Sequence, residues 1–197
     1  MLKVSGIIMA AGFSTRMGAN KLFLTYQGTT FLERVIRLTR HLDLSERILV
    51  LSPENNQKVS FDSELKVVIN EQAQLGQSGS VRLGTQAASG DGYLYLTVDQ
   101  PLLTPELFVP LFKAYSKETI VFPVDRKQTP NSPIFFGSRF RSELLSVRGS
   151  AGGRLVRQRH QQAWRKIQVS EPERLLDVDT PVVYQQLVQR SWQKERK

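Results

Sequence analysis

The chain has 197 residues, of which 40% are hydrophobic and 23% are charged, proportions that are ordinary for a globular protein. It contains no cysteine, which excludes disulfide bonds, thiol nucleophiles and zinc–thiolate sites. No run approaches the ~20 apolar residues that cross a bilayer, and the first residues fit a strand rather than a signal peptide, so we expect a cytoplasmic protein. The formal net charge of +9 favours an anionic partner, either a polyanion or a phosphorylated small molecule.

Apolar periodicity divides the chain into strands that alternate with helices. The apolar residues over 30–43 follow a helical period, and Thr30 followed by Glu33 fits a capping box at the start of that helix. A further helix begins near Thr104, where Pro105 fits the first helical position. In chain order, we predict strands at 3–9, 47–51, 66–69, 93–98, 119–122, 133–136 and 164–169, and other helices at 78–89, 139–145 and 181–192.

Strands separated by helical stretches imply right-handed βαβ units and a mostly parallel sheet. We therefore expect a single three-layer α/β/α domain over residues 1–192, with a frayed tail at 193–197. Ligands of such sheets bind beyond the carboxyl ends of the strands, where the strand order reverses. We therefore expect the site among the loops that follow Met9, Ile69 and Val98.

The loop after the first strand, residues 10–21, reads Ala-Ala-Gly-Phe-Ser-Thr-Arg-Met-Gly-Ala-Asn-Lys. Its three small residues allow backbone N–H groups to approach an anion. Arg16 and Lys21 add two cations, which predicts that the loop binds a triphosphate and stabilises departing pyrophosphate. The loop has neither the Walker spacing nor a G-x-G-x-x-G fingerprint. An ordinary turn with two surface cations is the alternative.

With the strand before it, this loop resembles the signature of nucleotidyltransferases with a glycosyltransferase-A-like fold. It is most similar to the molybdenum cofactor cytidylyltransferases, which are MobA-like NTP transferases. The resemblance covers nearly the whole chain and implies a Rossmann-like fold of the nucleotide-diphospho-sugar transferase type. It also implies that Ala10, Ala11 and Gly12 face the nucleotide, and that Arg16 and Lys21 contact its phosphates. The guanylyl-transferring branch usually has two glycines where this chain has Ala11 and Gly12, so the resemblance implies CTP rather than GTP.

Two further segments carry carboxylates. Asp99 ends the most strand-like segment of the chain, where a turn aspartate is the alternative to a Mg²⁺ ligand. Asp177 and Asp179 are two residues apart on an extended segment, and such side chains point to the same side. The resemblance implies that Asp99 and Asp179 hold Mg²⁺, and that Asp99 is catalytic together with Arg16 and Lys21. A cap for the last helix is the alternative role of Asp179.

Residues 76–84 resemble the family's loop-to-helix segment near the base and ribose of the nucleotide. The resemblance implies that Ser78, Gly79 and Ser80 bind the nucleotide, whereas a plain capped helix is the alternative. Asn70, at the end of the third strand, is a further candidate.

The chain departs from the family pattern on the acceptor side. The family commonly has Gly-His-Pro where this chain has Asn131-Ser132-Pro133, and an acidic residue where this chain has Ser150. Around these positions lies a basic cluster that either forms a solvated helical face or recognises an acceptor phosphate. Against one acid, the cluster contains eight basic residues: Arg139, Arg141, Arg148, Arg154, Arg157, Arg159, Arg165 and Lys166.

These features suggest an in-line displacement in which the terminal phosphate of an acceptor attacks the α-phosphorus of CTP and pyrophosphate leaves. The resemblance implies molybdopterin as the acceptor and a molybdoenzyme or its chaperone as a protein partner, with no membrane or nucleic-acid partner. His41 and His160 fit surface or packing roles. The alternatives are transfer to a sugar or polyol phosphate, and a non-catalytic basic protein that binds nucleic acid or a cofactor.

Overall fold

The computed structural model describes residues 2–12, 17–60 and 64–194, with side chains described as far as residue 189. Seven strands form one sheet in the order β5-β4-β1-β6-β8-β7-β9, and β2 pairs with β3 in a separate hairpin. The strands are β1 Val4–Ala10, β2 Thr25–Tyr26, β3 Thr29–Thr30, β4 Glu46–Leu51, β5 Leu65–Ile69, β6 Gly92–Thr97, β7 Ile120–Val124, β8 Ile134–Gly137 and β9 Trp164–Gln168. The helices are α1 Phe31–Arg40, α2 Pro53–Asn56, α3 Gln77–Ala87, α4 Pro105–Ala114, α5 Arg141–Ser146, α6 Arg154–Arg159 and α7 Pro181–Lys194.

The sheet is parallel except at β8, which pairs antiparallel with both β6 and β7. Successive side chains of a strand point to opposite faces of the sheet, and nearly all side chains of the central strands are buried. The sheet therefore has an apolar surface on both faces. One face packs on α1 and α4, and the other packs on α3, α5 and α6. This arrangement confirms the predicted three-layer α/β/α fold with a mostly parallel sheet.

The predicted helices and strands are present, with their ends shifted by a few residues. The Thr30–Glu33 capping box is confirmed, because each side chain bonds the other residue's backbone N–H. Helix α7 continues through Lys194, into the first two residues of the predicted tail, and fraying of residues 193–197 stays a prediction. The last three residues of that tail, 195–197, lie outside the described residues.

The sequence patterns missed α2, α6 and the β2–β3 hairpin. The hairpin turns at Gln27 and Gly28, both with positive φ (50° and 71°), as a two-residue turn of the primed type requires. Within the described part of the chain, no helix is both long and apolar enough to span a bilayer.

Candidate active site

The site lies where the strand order reverses. From β1 the chain continues to β4 and β5 on one side of the sheet and then returns to β6 on the other side. A cavity of about 510 Å³ opens at the carboxyl ends of β1 and β6, where parallel sheets bind ligands. Its lining residues are Met9, Ala10, Ala11, Gly12, Lys21, Leu22, Ala73, Gly76, Gln77, Ser80, Thr97, Val98, Asp99, Ser150 and Asp179.

Two asparagines fix the start of the loop after β1. The side-chain amide of Asn55 donates to the carbonyl of Ala10 at 3.0 Å, and the amide of Asn20 donates to the side-chain oxygen of Asn55 at 2.7 Å. Ala11 is buried, whereas Gly12 is exposed to the cavity. Sequence reasoning missed both asparagines because these contacts join distant parts of the chain. Arg16, predicted to contact the phosphates, lies outside the described residues.

Lys21 lies between two of the predicted carboxylates. It begins the short 3₁₀ helix Lys21–Phe23, which the side chain of Asn20 caps. Its Nζ is 3.5 Å from Asp99 Oδ2 and also contacts Asp179 Oδ1. The Lys21 side chain is only 11% exposed, compared with 24% for Asp99 and 36% for Asp179. The structure therefore brings these three sequence-predicted residues together, although they are far apart in the chain.

The end of β6 holds the segment that carries Asp179. The Asp99 carbonyl accepts a hydrogen bond from the N–H of Val178 at 2.8 Å. The side-chain amide of Gln100 donates to the carbonyls of Leu175 and Ser132, at 3.3 and 3.1 Å. These bonds anchor two loops of the site to one strand end. Gln100 is therefore a positioning residue that sequence reasoning missed.

Asp177 lies beside this cluster but has a different environment from Asp179. Partial burial, and then the negative charges of Asp99 and Asp179, raise the pKa of Asp177 from its ordinary value of 3.8 to about 6, against smaller opposite effects from Lys21 and Gln100. Asp179 is thus the carboxylate that pairs with Lys21, whereas the raised pKa of Asp177 keeps its carboxyl group protonated to a higher pH than is usual for an aspartate.

The alternative role for the Asp179–Thr180 pair was a cap for the last helix, and Thr180 is the residue of this pair that bonds α7. The hydroxyl of Thr180 accepts from the N–H of Val183 at 3.4 Å in the first turn of α7. The carboxylate of Asp179 is directed to Lys21 instead.

Asp99 and Asp179 offer carboxylate oxygens, the ligands that a hard cation such as Mg²⁺ prefers. Asp99 Oδ1 is buried and has no hydrogen-bond donor among the described residues. Mg²⁺ usually takes one or two protein carboxylates, and phosphate oxygens and water complete its shell. Asp99 and Asp179 match that requirement. No group of three or more carboxylate, imidazole or thiolate side chains within the described ranges is arranged to hold a metal by itself.

The serine–glycine segment at the start of α3 is divided between two surfaces. Ser80 lines the cavity and accepts a hydrogen bond from the amide of Asn70 at 3.0 Å. Ser78 accepts instead from the N–H of Gly152 at 3.2 Å, and Gly79 packs against Asn70. Ser78 and Gly79 therefore do not line this cavity. The nucleotide-binding role predicted for all three residues stays a prediction.

Gly76 allows the loop around Ser150 to approach the start of α3. Its φ of 105° favours glycine, and a Cβ there would lie 2.8 Å from the Cα of Ser150. This contact places Ser150, expected on the acceptor side, at the wall of the main cavity.

Some members of the basic cluster have partners within the protein. Arg139 pairs with Glu118 at 3.0 Å, and Arg141 donates to the hydroxyl of Tyr93 at 3.0 Å. The predicted packing role fits His160, whose ring nitrogen bonds Glu143. Two other members of the cluster, Arg154 and Arg157, line a second cavity beside the first.

Comparison with known proteins identifies the family. Residues 6–164 match the family described as the MobA-like NTP transferase domain. A purine catabolism protein, PucB of Bacillus subtilis, is 29% identical over 91% of this chain and 93% of its own length. A probable molybdenum cofactor guanylyltransferase of Chloroflexus aggregans is 34% identical over 56% of this chain and 52% of its own length. The fold is similar to that of Rv0371c of Mycobacterium tuberculosis, with a TM-score of 0.83, 22% identity and coverage of 95% of this chain and 98% of that chain.

The names of these relatives do not test every prediction. The chain spans about half the length of the Chloroflexus relative, and that relative's name refers to guanylyl rather than cytidylyl transfer. Transfer of CMP therefore stays a prediction, as do the roles of the individual site residues. The family match covers most of the chain and agrees with the fold and with the position of the cavity. The chain belongs to the MobA-like NTP transferase domain family and is a nucleotidyltransferase.

Proposed function

We propose that this enzyme transfers CMP from CTP to the terminal phosphate of molybdopterin and releases pyrophosphate. The observation that carries the proposal is the Lys21 ammonium between Asp99 and Asp179, beside the Ala10–Gly12 loop. Several relatives are named as molybdenum cofactor guanylyltransferases, which supports molybdopterin as the acceptor. Ala11, where the guanylyl branch usually has glycine, favours CTP over GTP.

In the proposed reaction an oxygen of the acceptor phosphate forms a bond to the α-phosphorus of CTP. The bond from that phosphorus to the bridging oxygen of the β-phosphate breaks, and pyrophosphate leaves with the electron pair. No general base is needed, because a phosphate monoester is already anionic near neutral pH. Catalysis then depends on positioning the two phosphates and on stabilising charge.

The residues of the site have separate roles in this proposal. Lys21 and Arg16 neutralise the triphosphate and the departing pyrophosphate. Asp99 and Asp179 would hold Mg²⁺, which supplies charge neutralisation on the phosphate oxygens when it is bound. Asn55, held by Asn20, fixes Ala10 at the start of the loop after β1, so the neighbouring Ala11 and Gly12 are positioned before substrate arrives.

A sugar or polyol phosphate is the second candidate acceptor. It is favoured by Asn131 and Ser132, which line the second cavity where the family commonly has an imidazole. Amide and hydroxyl groups are suited to hydrogen bonding with the hydroxyls of such acceptors.

Pyrophosphate release tests the proposal. We would measure it with each of the four nucleoside triphosphates and Mg²⁺, with and without molybdopterin, in the wild type and in Asp99→Ala. Release that requires CTP, molybdopterin and Asp99 supports the proposed reaction. An exposed aspartate, changed in Asp43→Ala, is the matched control and should leave the rate unchanged. Absence of release in folded wild-type protein would exclude molybdopterin and direct the same assay to sugar and polyol phosphates.

A further inference from the structure

A second cavity of about 250 Å³ adjoins the first. The two cavities share Met9, Gln77 and Thr97 in their walls, so a molecule in the second cavity would lie beside a nucleotide in the first. The buried residues Val81, Tyr95 and Phe136 form an apolar and aromatic floor of the second cavity. Its polar and basic lining residues are half-buried or exposed and form the rim. Its other lining residues are Val81, Tyr95, Pro130, Asn131, Ser132, Ile134, Phe136, Ala151, Gly153, Arg154, Arg157 and Asp177.

Two arginines on successive turns of α6 face this cavity. Neither the Arg154 nor the Arg157 guanidinium forms a hydrogen bond or an ion pair with another side chain in the ranges that the structure describes. Arg157 is partly buried, with its guanidinium carbon 5.0 Å from the centre of the Phe122 ring. Burial, and then the positive charge of Arg154, lower the pKa of Arg157. Two like charges are therefore held close together, and no described acidic side chain forms an ion pair with either of them.

Other arginines of the basic cluster have such partners. Arg139 also lies over an aromatic ring, that of Phe140 at 5.9 Å, but it pairs with Glu118. Arg159 has Glu143 at 3.9 Å. A partly buried cation without a counter-ion is costly, which makes an external anion the natural partner of Arg157, beside which the exposed Arg154 adds a second positive charge.

We infer that Arg154 and Arg157 form the subsite that binds the phosphate of the acceptor. The inference rests on the proposed function, because it takes the neighbouring cavity to hold the nucleotide. A guanidinium matches phosphate geometry with two parallel hydrogen bonds, and two guanidinium groups can offset a phosphate dianion. The apolar floor beside them suits the body of an acceptor that is larger than phosphate alone.

The lining charges favour a small anion over a cation. Asp177 is the single acid among the described lining residues, and it lies at the boundary with the Asp99 cluster. The two arginines therefore exceed the negative charge of the cavity wall. A cavity of about 250 Å³ suits a phosphate ester better than a nucleic-acid strand, which needs an extended groove.

The test uses Arg154→Gln, Arg157→Gln and the matched control Arg139→Gln. Loss of a charge-assisted hydrogen bond is expected to raise the KM for molybdopterin by about 10- to 100-fold in the first two variants. The kcat should change by less than about threefold, and the Kd of Mg²⁺–CTP should stay within about twofold, because these arginines do not line the first cavity. The control should match the wild type. Arg154 is exposed, so that variant is expected to fold even if Arg157→Gln does not.

A second measurement does not depend on turnover. Calorimetry would follow the binding of inorganic phosphate to the enzyme saturated with Mg²⁺ and the α,β-methylene analogue of CTP, which fills the first cavity. We expect the affinity for phosphate to fall by about 10-fold or more in each cavity variant and to be unchanged in Arg139→Gln.

The outcomes separate this inference from the proposed function. Arginine-dependent phosphate binding without turnover of molybdopterin would support the subsite while removing that acceptor. Turnover of molybdopterin with an unchanged KM in both variants would overturn the subsite and leave the function intact. Weakened binding of Mg²⁺–CTP in the variants, or no phosphate binding in the wild type, would also overturn it.

Discussion

Lys21 is the only cation that the described residues place between Asp99 and Asp179. In metal-free protein, Lys21→Met should lower the free energy of unfolding by about 1–2 kcal/mol, less than for a fully buried pair because the carboxylates keep contact with water. Added Mg²⁺ should then raise the melting temperature more in the variant than in the wild type, because the carboxylates have lost their ammonium. The measurement is thermal and urea unfolding in EDTA and in Mg²⁺, with exposed Lys113→Met as the control. An equal effect of Mg²⁺ on both proteins would contradict this prediction.

Asp177 should make stability depend on pH. Its pKa is raised from 3.8 to about 6 on folding, so its favourable contribution is fully present below about 3.8 and is lost as the pH rises through about 6. The Asp177→Asn variant cannot ionise at this position as the pH rises. The variant should therefore gain stability relative to the wild type as the pH increases from 4 to 8, measured as the difference in melting temperature in EDTA. A difference that stays constant across this range would show that Asp177 titrates normally.

The individual site residues that the sequence predicted are those marked by a local pattern. Lys21 was a candidate as a cation of the loop after β1, Asp99 as the end of a strand, and Asp179 as one of two carboxylates spaced two residues apart. The structure places all three in one cavity. Asn55 and Gln100 were missed because an amide that bonds a distant carbonyl has no local pattern. Such contacts depend on the tertiary structure rather than on the spacing of neighbouring residues.

The packing of α3 on the sheet requires a glycine at position 84. A Cβ there would lie 2.5 Å from Cγ2 of Ile7, a branched side chain in the central strand that has little freedom to move away. Overpacking of this kind costs about 1–3 kcal/mol, which exceeds the gain of about 1 kcal/mol from alanine in a helix. Gly84→Ala should therefore lower the free energy of unfolding in urea, whereas Gln86→Ala on the exposed face should leave it nearly unchanged. A stabilised Gly84→Ala would show that the helix can move outward without cost.

Elements with a long periodic pattern were predicted best. Helix α1 has a capping box and a regular apolar face, and both are present. The β2–β3 hairpin was missed because its strands have two residues each, and its turn has Gln27 where Asn or Asp is the usual signal. Helix α6 was missed because its two apolar residues, Leu155 and Val156, are adjacent and have no apolar partner three or four residues away within the helix.

The sheet joins early and late parts of the chain, as we expect of the predicted single domain over residues 1–192. Strand β8 pairs with β6 and β7, and β9 pairs with β7, so the last strands extend the sheet that the first strands begin. We expect one cooperative unfolding transition in urea. Tryptophan fluorescence and far-ultraviolet circular dichroism should give the same midpoint. Two separate midpoints would show that the late strands form an independent unit.

The overall architecture followed from the alternation of strands and helices, since βαβ connections have one favoured hand. The order of β8, β7 and β9 at one edge of the sheet did not follow from that alternation. The place of β8 between β6 and β7 depends on antiparallel pairing, which the apolar pattern of Ile134–Gly137 does not specify. That part of the sheet also forms one wall of the second cavity, so the acceptor side was the less predictable half of the site.

Transfer of isotopic label tests the proposed reaction most directly. The enzyme would be incubated with Mg²⁺, molybdopterin and CTP labelled with ³²P at either the α- or the γ-phosphate. If the acceptor attacks the α-phosphorus, α-label appears in the pterin product and γ-label appears only in pyrophosphate. Appearance of γ-label in the acceptor, or release of γ-label as inorganic phosphate, would contradict nucleotidyl transfer by this site.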